Sequence, residues 1–325
     1  MKILSQDELS LAKNELDNDG LVIFPTETVY GLGANALSSH AVDKIFKAKN
    51  RASNNPLIVH LKNKEEIAKY ASINNVVEQK LIDSFMPGPF TIILKKKDII
   101  PDNVTCKMDT VGIRIPIDEI AHNLLSILDY PIAAPSANIS TKPSGTSISD
   151  ILPEFDGKVN YIIDGGDSKI GLESTVCKVI DGIPTILRPG FITKEDIEEV
   201  IGKCSISKYV MEEAHGKVES PGMLYKHYAP KTNCLLVSQD KILNEVKKYH
   251  KAIIIGSSAL KDITCYKYFN YGDDLVSIAH NIFRLLRKAD QEKAEIIILE
   301  AVKKEGLGLA IMNRLIRTCE YHYIK

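Results

Sequence analysis

LVIFPTETVYGLG, residues 21–33, is the stretch from which the rest of the chain is read. The apolar run LVIF, bounded by turn signals, reads as a buried strand. Pro25 ends it, because proline has no N–H to give a central strand. The polar segment that follows presents Thr26, Glu27, Thr28 and Tyr30 where the strand stops, a common ligand position in sheets. From spacing alone, an ordinary polar turn accounts for the segment better. Pro25 would stiffen that turn, and Gly31 and Gly33 would supply backbone freedom. GLG is no dinucleotide fingerprint, since the third glycine is absent and no helix starts there.

Upstream, Ser5 with Glu8 is a capping-box pattern opening a helix that Asn18-Asp19-Gly20 closes. Downstream, SSHAVDKIFKAKN puts Val42, Ile45 and Phe46 on one helical face, with Ser39 as its cap. PLIVHL (56–61) reads as a strand, followed by helices near 64–72 and 76–85. FTIILK (90–95) and VGIRIP (111–116) are further strands, DEIAHNLLSILD is a helix, and PIAA (131–134) runs into a polar loop. YIIDGG, STVCKVI and TILRPG read as strands joined by Gly-rich turns, and TKEDIEEVIG as a helix capped by Thr193. This irregular mixture favours a mixed sheet over a repeating βαβ array.

Near residue 205 the pattern breaks. Residues 206–231 show no sustained period, several Gly and Pro, and an aromatic-basic cluster, as an interdomain linker would. Beyond it, CLLVS, a helix near 240–250, AIIIGSS, a helix at 274–290, EIIILEA and a helix at 308–322 alternate regularly. That alternation predicts a small parallel α/β domain of Rossmann or flavodoxin type. The expected organisation is α/β throughout: a first domain over residues 1–207, a linker over 208–232 and a small C-terminal domain over 233–325. A chain of 325 residues suits two domains at roughly 150 residues each.

Composition narrows the function. Hydrophobic residues at 44% and charged residues at 26% are globular values, which removes disordered and collagen-like readings. The net charge of −1 leaves no overall basic field to hold nucleic acid. Six cysteines lie far apart with no C-x-x-C pair, so free thiols in a reducing compartment are expected, with neither a disulfide scaffold nor a cysteine-type zinc site. The N-terminus turns polar by residue 5 and resembles no signal peptide. No apolar stretch is long enough to span a bilayer. A soluble, cytoplasmic protein is expected.

Four strand-end segments carry chemistry. In KAKNRASNNPL (47–57), Lys47, Lys49 and Arg51 leave the end of a helix. They are either cations favoured by the helix macrodipole or a cradle for a phosphate or carboxylate. PSANISTKPSGTS (135–147) packs Ser136, Asn138, Ser140, Thr141, Ser144, Thr146 and Ser147 ahead of a helix N-terminus. It suits phosphate oxygens, but also a mobile polar loop. GLESTV (171–176), with Arg188 in RPG, adds donors for another anionic group unless Arg188 is only a solvated strand-end charge. Together with PTETVYGLG these loops read better as one converging anion site than as four accidents, and a nucleotide is the simplest ligand. The Walker pattern is missing, as are H-E-x-x-H and a serine-protease order of triad residues.

PTETVYGLG, the K-x-R at Lys49–Arg51 with NNPLIVH, the S-x-N at Ser136–Asn138, GLESTV and ILRPG, in this order, resemble the YrdC-like family. The α/β domain after the SPG…KHYAP linker resembles that family's longer, two-domain form. The resemblance implies an open, twisted N-terminal α/β domain with a positively charged cavity. It implies conversion of L-threonine, bicarbonate and ATP to L-threonylcarbamoyladenylate and pyrophosphate, with Mg²⁺ on the ATP phosphates and no metal held by the protein. Downstream tRNA threonylcarbamoyl transferase proteins would pass the group to the adenosine 3′ of the anticodon in tRNAs reading ANN codons, so this chain's own contact with tRNA would be indirect or weak.

By the same resemblance, Lys49, Arg51, Ser136 and Asn138 form the catalytic signature. Thr28, His60, Arg114, the backbone at Ala134, and Ser174 would surround threonine. Arg51, Asn55, Thr110, Ser136, Ser144 and Arg188 would hold ATP, with Tyr228 of the linker closing over it. The chain departs from many relatives at Ala52, where they carry proline; the cation spacing is intact. Two other classes compete: a carbamoyl-adenylate former of hydrogenase maturation, whose acylphosphatase and zinc-finger segments are not seen here, and a non-catalytic RNA-binding module, which the net charge disfavours.

The linker SPGMLYKHYAPK carries Tyr225, Lys226, His227 and Tyr228. If it packs into the first domain's cavity and excludes water, truncation near residue 207 leaves a folded domain that loses most adenylate formation. Equal rates and equal ATP affinity for the truncated and full-length proteins would reduce the linker to a tether.

Overall fold

The computed structural model describes residues 1–210, 212 and 228–325. Tyr225, Lys226, His227 and most of the expected linker lie outside the described residues.

The N-terminal part is built on one mixed sheet. Its strand order is Lys2–Leu4, Tyr161–Ile163, Val22–Phe24, Gly31–Asn35, Ile132–Ala133, Ile58–His60, Thr110–Arg114, Phe90–Lys96, Thr175–Ile180, Ile183–Arg188 and Ser205–Ile206, with Ala71–Ser72 beside Phe90–Lys96. Val22–Phe24 runs parallel to Tyr161–Ile163 and antiparallel to Gly31–Asn35. Ile58–His60 runs parallel to Thr110–Arg114, with His60 opposite Arg114. The mixture of pairings matches the irregular order of the sequence.

TETVYGLG is not a loop throughout. Gly31–Asn35 is a buried strand in the middle of the sheet. Its glycines hide it from β-propensity, yet the packing requires one of them. A Cβ at Gly33 would stand 2.8 Å from Ile132 Cγ2 and 2.9 Å from Phe24 Cε1. The helix Ser39–Lys49 is capped by Ser38, one residue before the expected Ser39, because the Ser38 hydroxyl accepts from Ala41 N–H. Asn50 in the left-handed region closes that helix. The stretch 64–72 is a 3₁₀ turn, one short helix Ile67–Tyr70 and a two-residue strand. The helix Ile148–Phe155 begins with Ser147 accepting from Asp150 N–H and the Asp150 carboxylate accepting from Thr146. Its first turn therefore already has acceptors of its own.

The C-terminal sheet runs Lys267–Asn270, Ala252–Gly256, Ile296–Glu300, Cys234–Val237, Tyr323–Ile324, and all four pairings are parallel. AIIIG is buried along its whole length, as a strand covered on both faces must be. The edge strands Lys267–Asn270 and Tyr323–Ile324 escaped the sequence reading because they are short, polar and half exposed. At the carboxyl ends of the two central strands, Glu300 accepts from Ser257 N–H at 2.6 Å and from Tyr271 O–H at 2.8 Å.

Helix Leu307–Thr318 is buried on nearly every side, including Asn313, Arg314, Arg317 and Thr318. One face packs in the C-terminal core with Ile311 and Leu315. The polar face meets the two ends of the expected linker: Asn313 donates to Val210 O, Arg317 to Tyr209 O and Thr318 to Tyr228 O.

Gly190 ends the ILRPG turn with no room for a side chain. A Cβ there would run into the Thr175 backbone nitrogen and lie 2.7 Å from Glu173 O. Backbone cannot swing aside as a side-chain tip can. Gly190→Ala should destabilise by about 1–3 kcal/mol, read as a lower urea midpoint of the N-terminal transition.

Candidate active site

Strand ends and turns from separate parts of the chain converge on a cavity with about 730 Å³ of empty space, part of it open to solvent. From the first turn come Thr26, Thr28, Val29, Tyr30 and Gly31. Thr26 donates to Val29 O at 2.6 Å, and its hydroxyl is 2.9 Å from that of Thr28, so the turn is held by its own side chains. Such local bonds are what Thr offers a turn.

The K-x-R segment enters next. Lys49 is 1% exposed. Its ammonium donates to Ser136 O and Asn138 O. Arg51 donates to Asn55 O at 3.1 Å and Pro56 O at 3.0 Å, which fixes its guanidinium at the cavity wall. The polar loop supplies Pro135, Ser136, Asn138, Ser140 and Thr141. Ser136 donates to Asn138 Oδ1, and Asn138 Nδ2 donates to Ile139 O and Lys142 O, so the loop has an internal scaffold.

Arg114 pairs with Glu27 at 2.7 Å, both side chains nearly inaccessible. Ser174 lies 2.8 Å from the Thr91 hydroxyl, and Arg188 donates to Ser174 O through Nε and Nη2 and to Ser174 Oγ. Arg188 is therefore a buried, bonded strand-end arginine, not a solvated one. Glu173 and Tyr228 complete the rim. Tyr228 stacks on Phe283 at 5.1 Å between centroids.

Electrostatics favour an anionic ligand. Burial, then Arg51, pulls the Lys49 ammonium well below its ordinary value. Burial lowers Arg51 to about 10 and Arg188 to about 10. Cations held at such a penalty are relieved by a bound anion. Burial would raise Glu173, but Arg314 and Arg188 reverse this and hold the carboxyl below its usual range. Burial, then Arg114, takes His60 from 6.5 down to about 3, so its imidazole is neutral.

Of the residues singled out from sequence, Thr28, Lys49, Arg51, His60, Arg114, Ala134, Ser136, Asn138, Ser174, Arg188 and Tyr228 line this cavity. Asn55, Thr110 and Ser144 do not. Asn55 stands behind Arg51 and gives it a carbonyl, and Ser144 donates to Glu173. Thr110 lies on a small neighbouring pocket with Pro56 and Leu57. The Ala134 N–H is already given to Ile58 O. Sequence reasoning gave no role to Glu173, although it stands inside the quoted GLESTV. It missed Arg314 altogether, because a lone arginine in a C-terminal helix carries no local signal.

Two family models match. One, described as "Telomere recombination", covers residues 14–190; the other, "Threonylcarbamoyl-AMP synthase, C-terminal domain", covers residues 192–319. The threonylcarbamoyl-AMP synthase of Pyrococcus abyssi is 40% identical over 98% of this chain and 96% of its own length. That of Bacillus subtilis is 39% identical over 95% and 92%. The crystal structure of Pyrococcus abyssi Sua5 complexed with L-threonine superposes with a TM-score of 0.96 at 39% identity, covering 100% of this chain and 99% of that one.

The buried neutral imidazole has a consequence for acid stability. The unfolded chain takes up a proton at His60 near pH 6.5, whereas the folded chain does so only near pH 3. Between these values the unfolded state binds more protons, so stability is complete above the upper value and is lost as pH falls through the window. The urea midpoint of His60→Gln should therefore fall less than that of the parent between about pH 7 and about pH 4. Parallel curves would mean that the fold does not hold the imidazole neutral.

Proposed function

This chain belongs to the threonylcarbamoyl-AMP synthase family in its two-domain form, and from that premise we propose how its cavity forms L-threonylcarbamoyladenylate and pyrophosphate from L-threonine, bicarbonate and ATP. The observation that carries this reading is the convergence of Lys49, Arg51, Arg114 and Arg188 on one cavity that also offers hydroxyls and a neutral histidine.

Arg114 binds the threonine carboxylate through its guanidinium, a fork matched to two oxygens. Glu27 holds that guanidinium in place. Thr28, His60 and Ser174 surround the rest of the amino acid, and the neutral imidazole adds no charge to repel the amine. Arg51 and Arg188 take the ATP phosphates, while Lys49 shapes the Ser136–Asn138 turn from beneath. Asn55 and Ser144 support this wall indirectly, through Arg51 and Glu173.

The amine attacks the bicarbonate carbon and water leaves, giving the carbamate, one oxygen of which then attacks the α-phosphorus as pyrophosphate leaves. Both steps build charge on oxygen. Fixed cations and N–H donors, not a nucleophilic side chain, supply the stabilisation. Among the described residues, Glu173 of the cavity lining and Glu27 beside it are already in ion pairs with Arg314 and Arg114. The residues present therefore suit Mg²⁺ carried on the ATP phosphates and not in a protein cage. When bound there, the ion screens phosphate charge.

Tyr228, buried against Phe283 and held through its carbonyl by Thr318, covers the nucleotide and keeps water from the mixed anhydride. The product is a labile acyl phosphate that downstream tRNA threonylcarbamoyl transferase proteins consume in modifying tRNAs that read ANN codons. No described helix is long and apolar enough to cross a membrane.

Purified protein should release pyrophosphate from ATP only when threonine and bicarbonate are both present. Equal release without threonine would sink the assignment. Serine lacks one methyl, worth about 1–3 kcal/mol in an apolar pocket, so it should compete weakly but measurably.

A further inference from the structure

Glu173 is an awkward neighbour for a polyphosphate. It lines the cavity next to Ser174 and Arg188, and a bare carboxylate there would both repel the ligand and attract the arginine meant for it. Its counter-charge comes from the other domain. Arg314, 141 residues away and fully buried, donates from Nε to Glu173 Oε2 at 3.0 Å. The same guanidinium donates to Pro189 O at 2.8 Å and Asn313 Oδ1 at 2.9 Å, and its central carbon lies 5.5 Å from the centroid of the Tyr228 ring. One side chain thus touches the GLESTV turn, the RPG turn and the ring that rims the cavity. A buried arginine is tolerated only where its charge and donors are met, and these partners meet them.

We infer that Arg314 is a positioning residue of the ATP site: by neutralising Glu173 from the C-terminal domain it leaves Arg188 and the cavity's other cations to the nucleotide. The C-terminal domain then contributes charge balance to the site as well as structure. This deepens the reading of the cavity as an ATP site and rests on it. Arg188, bonded to the neighbouring Ser174, is the next cation that acts on Glu173 after Arg314, and it inherits the carboxylate when Arg314 is lost. Arg188 is drawn from the phosphates and ATP binds worse. The threonine carboxylate rests on the Arg114–Glu27 pair, which among the described residues is not bonded to Arg314 or Glu173, so threonine binding falls less than ATP binding.

The test is a double-mutant cycle in the full-length chain: parent, Arg314→Gln, Glu173→Gln and the double variant. A non-hydrolysable ATP analogue is titrated calorimetrically, KM is measured for ATP and for threonine, and urea midpoints are recorded. Arg314→Gln should weaken analogue binding by roughly tenfold or more, while the threonine KM moves less than about threefold. Adding Glu173→Gln should bring affinity back to within about threefold of the parent. If Arg314→Gln does not fold, the comparison of Glu173→Gln with the double variant serves instead. With the carboxylate gone, removing Arg314 should change affinity by less than about threefold. A double variant as weak as Arg314→Gln, or far weaker than Glu173→Gln, overturns the role given to Arg314. Failure of the parent itself to bind the analogue overturns the ATP assignment of the cavity, and Arg314's role with it.

Discussion

An ammonium group taken almost wholly out of water organises this molecule. Lys49 ends the helix Ser39–Lys49 and gives its protons to the carbonyls of Ser136 and Asn138, while its own carbonyl accepts from Ser140 N–H at 2.9 Å. Burying a charge without such partners would cost many kcal/mol, so the loop has one shape that satisfies it. The next residue, Asn50, turns through the left-handed region, and the Arg51 N–H bonds back to Phe46 O at 2.9 Å. Two cations two residues apart thus leave the helix in different directions. One goes under the serine-rich loop and the other along the cavity wall. The loop is pinned on its other side by the bridge between Gly31 and Ser136.

Much of this was legible in the sequence. The alternation after residue 233 announced a parallel sheet, since LLV, AIII and IIIL are apolar runs that only a sheet covered on both faces buries. The irregular first part announced a mixed sheet. What could not be read was long-range satisfaction. Gly31–Asn35 looked like a turn because its glycines suit a close approach to Phe24 and Ile132, which are distant in sequence or hidden behind Pro25. Arg188 reads from sequence either as a donor for an anion or as a solvated strand-end charge; its acceptor, Ser174, stands at the start of the neighbouring antiparallel strand. Asn55, Thr110 and Ser144 were placed at the ligand by resemblance; Asn55 gives its carbonyl to Arg51, Ser144 donates to Glu173, and Thr110 lines a smaller pocket beside Ile58.

The boundary between the two sheets is chemical more than geometric. Helix Leu307–Thr318 gives its apolar side to one core and its polar side to the turn at Pro189 and the two ends of the expected linker, so each half satisfies groups that the other buries. Arg287, on the helix Leu275–Gln291, does the same further along: it pairs with Glu154 at 2.8 Å and donates to Asp150 O and Pro143 O around the serine-rich loop. Two arginines of the smaller domain therefore hold two of the donor-rich loops of the larger one.

Glu300 gives the smaller domain its character. In parallel sheets, the crevice between adjacent strands whose connections leave in opposite directions is where ligands settle, with phosphate on the loop N–H groups. Here that crevice lies between Ala252–Gly256 and Ile296–Glu300, because the chain departs from the first toward Lys267–Asn270 and from the second toward Tyr323–Ile324. The Glu300 carboxylate already occupies the Ser257 N–H and the Tyr271 hydroxyl at that spot. The carboxylate at one strand end thus satisfies, from within the chain, the donors that follow the strands to one side of it.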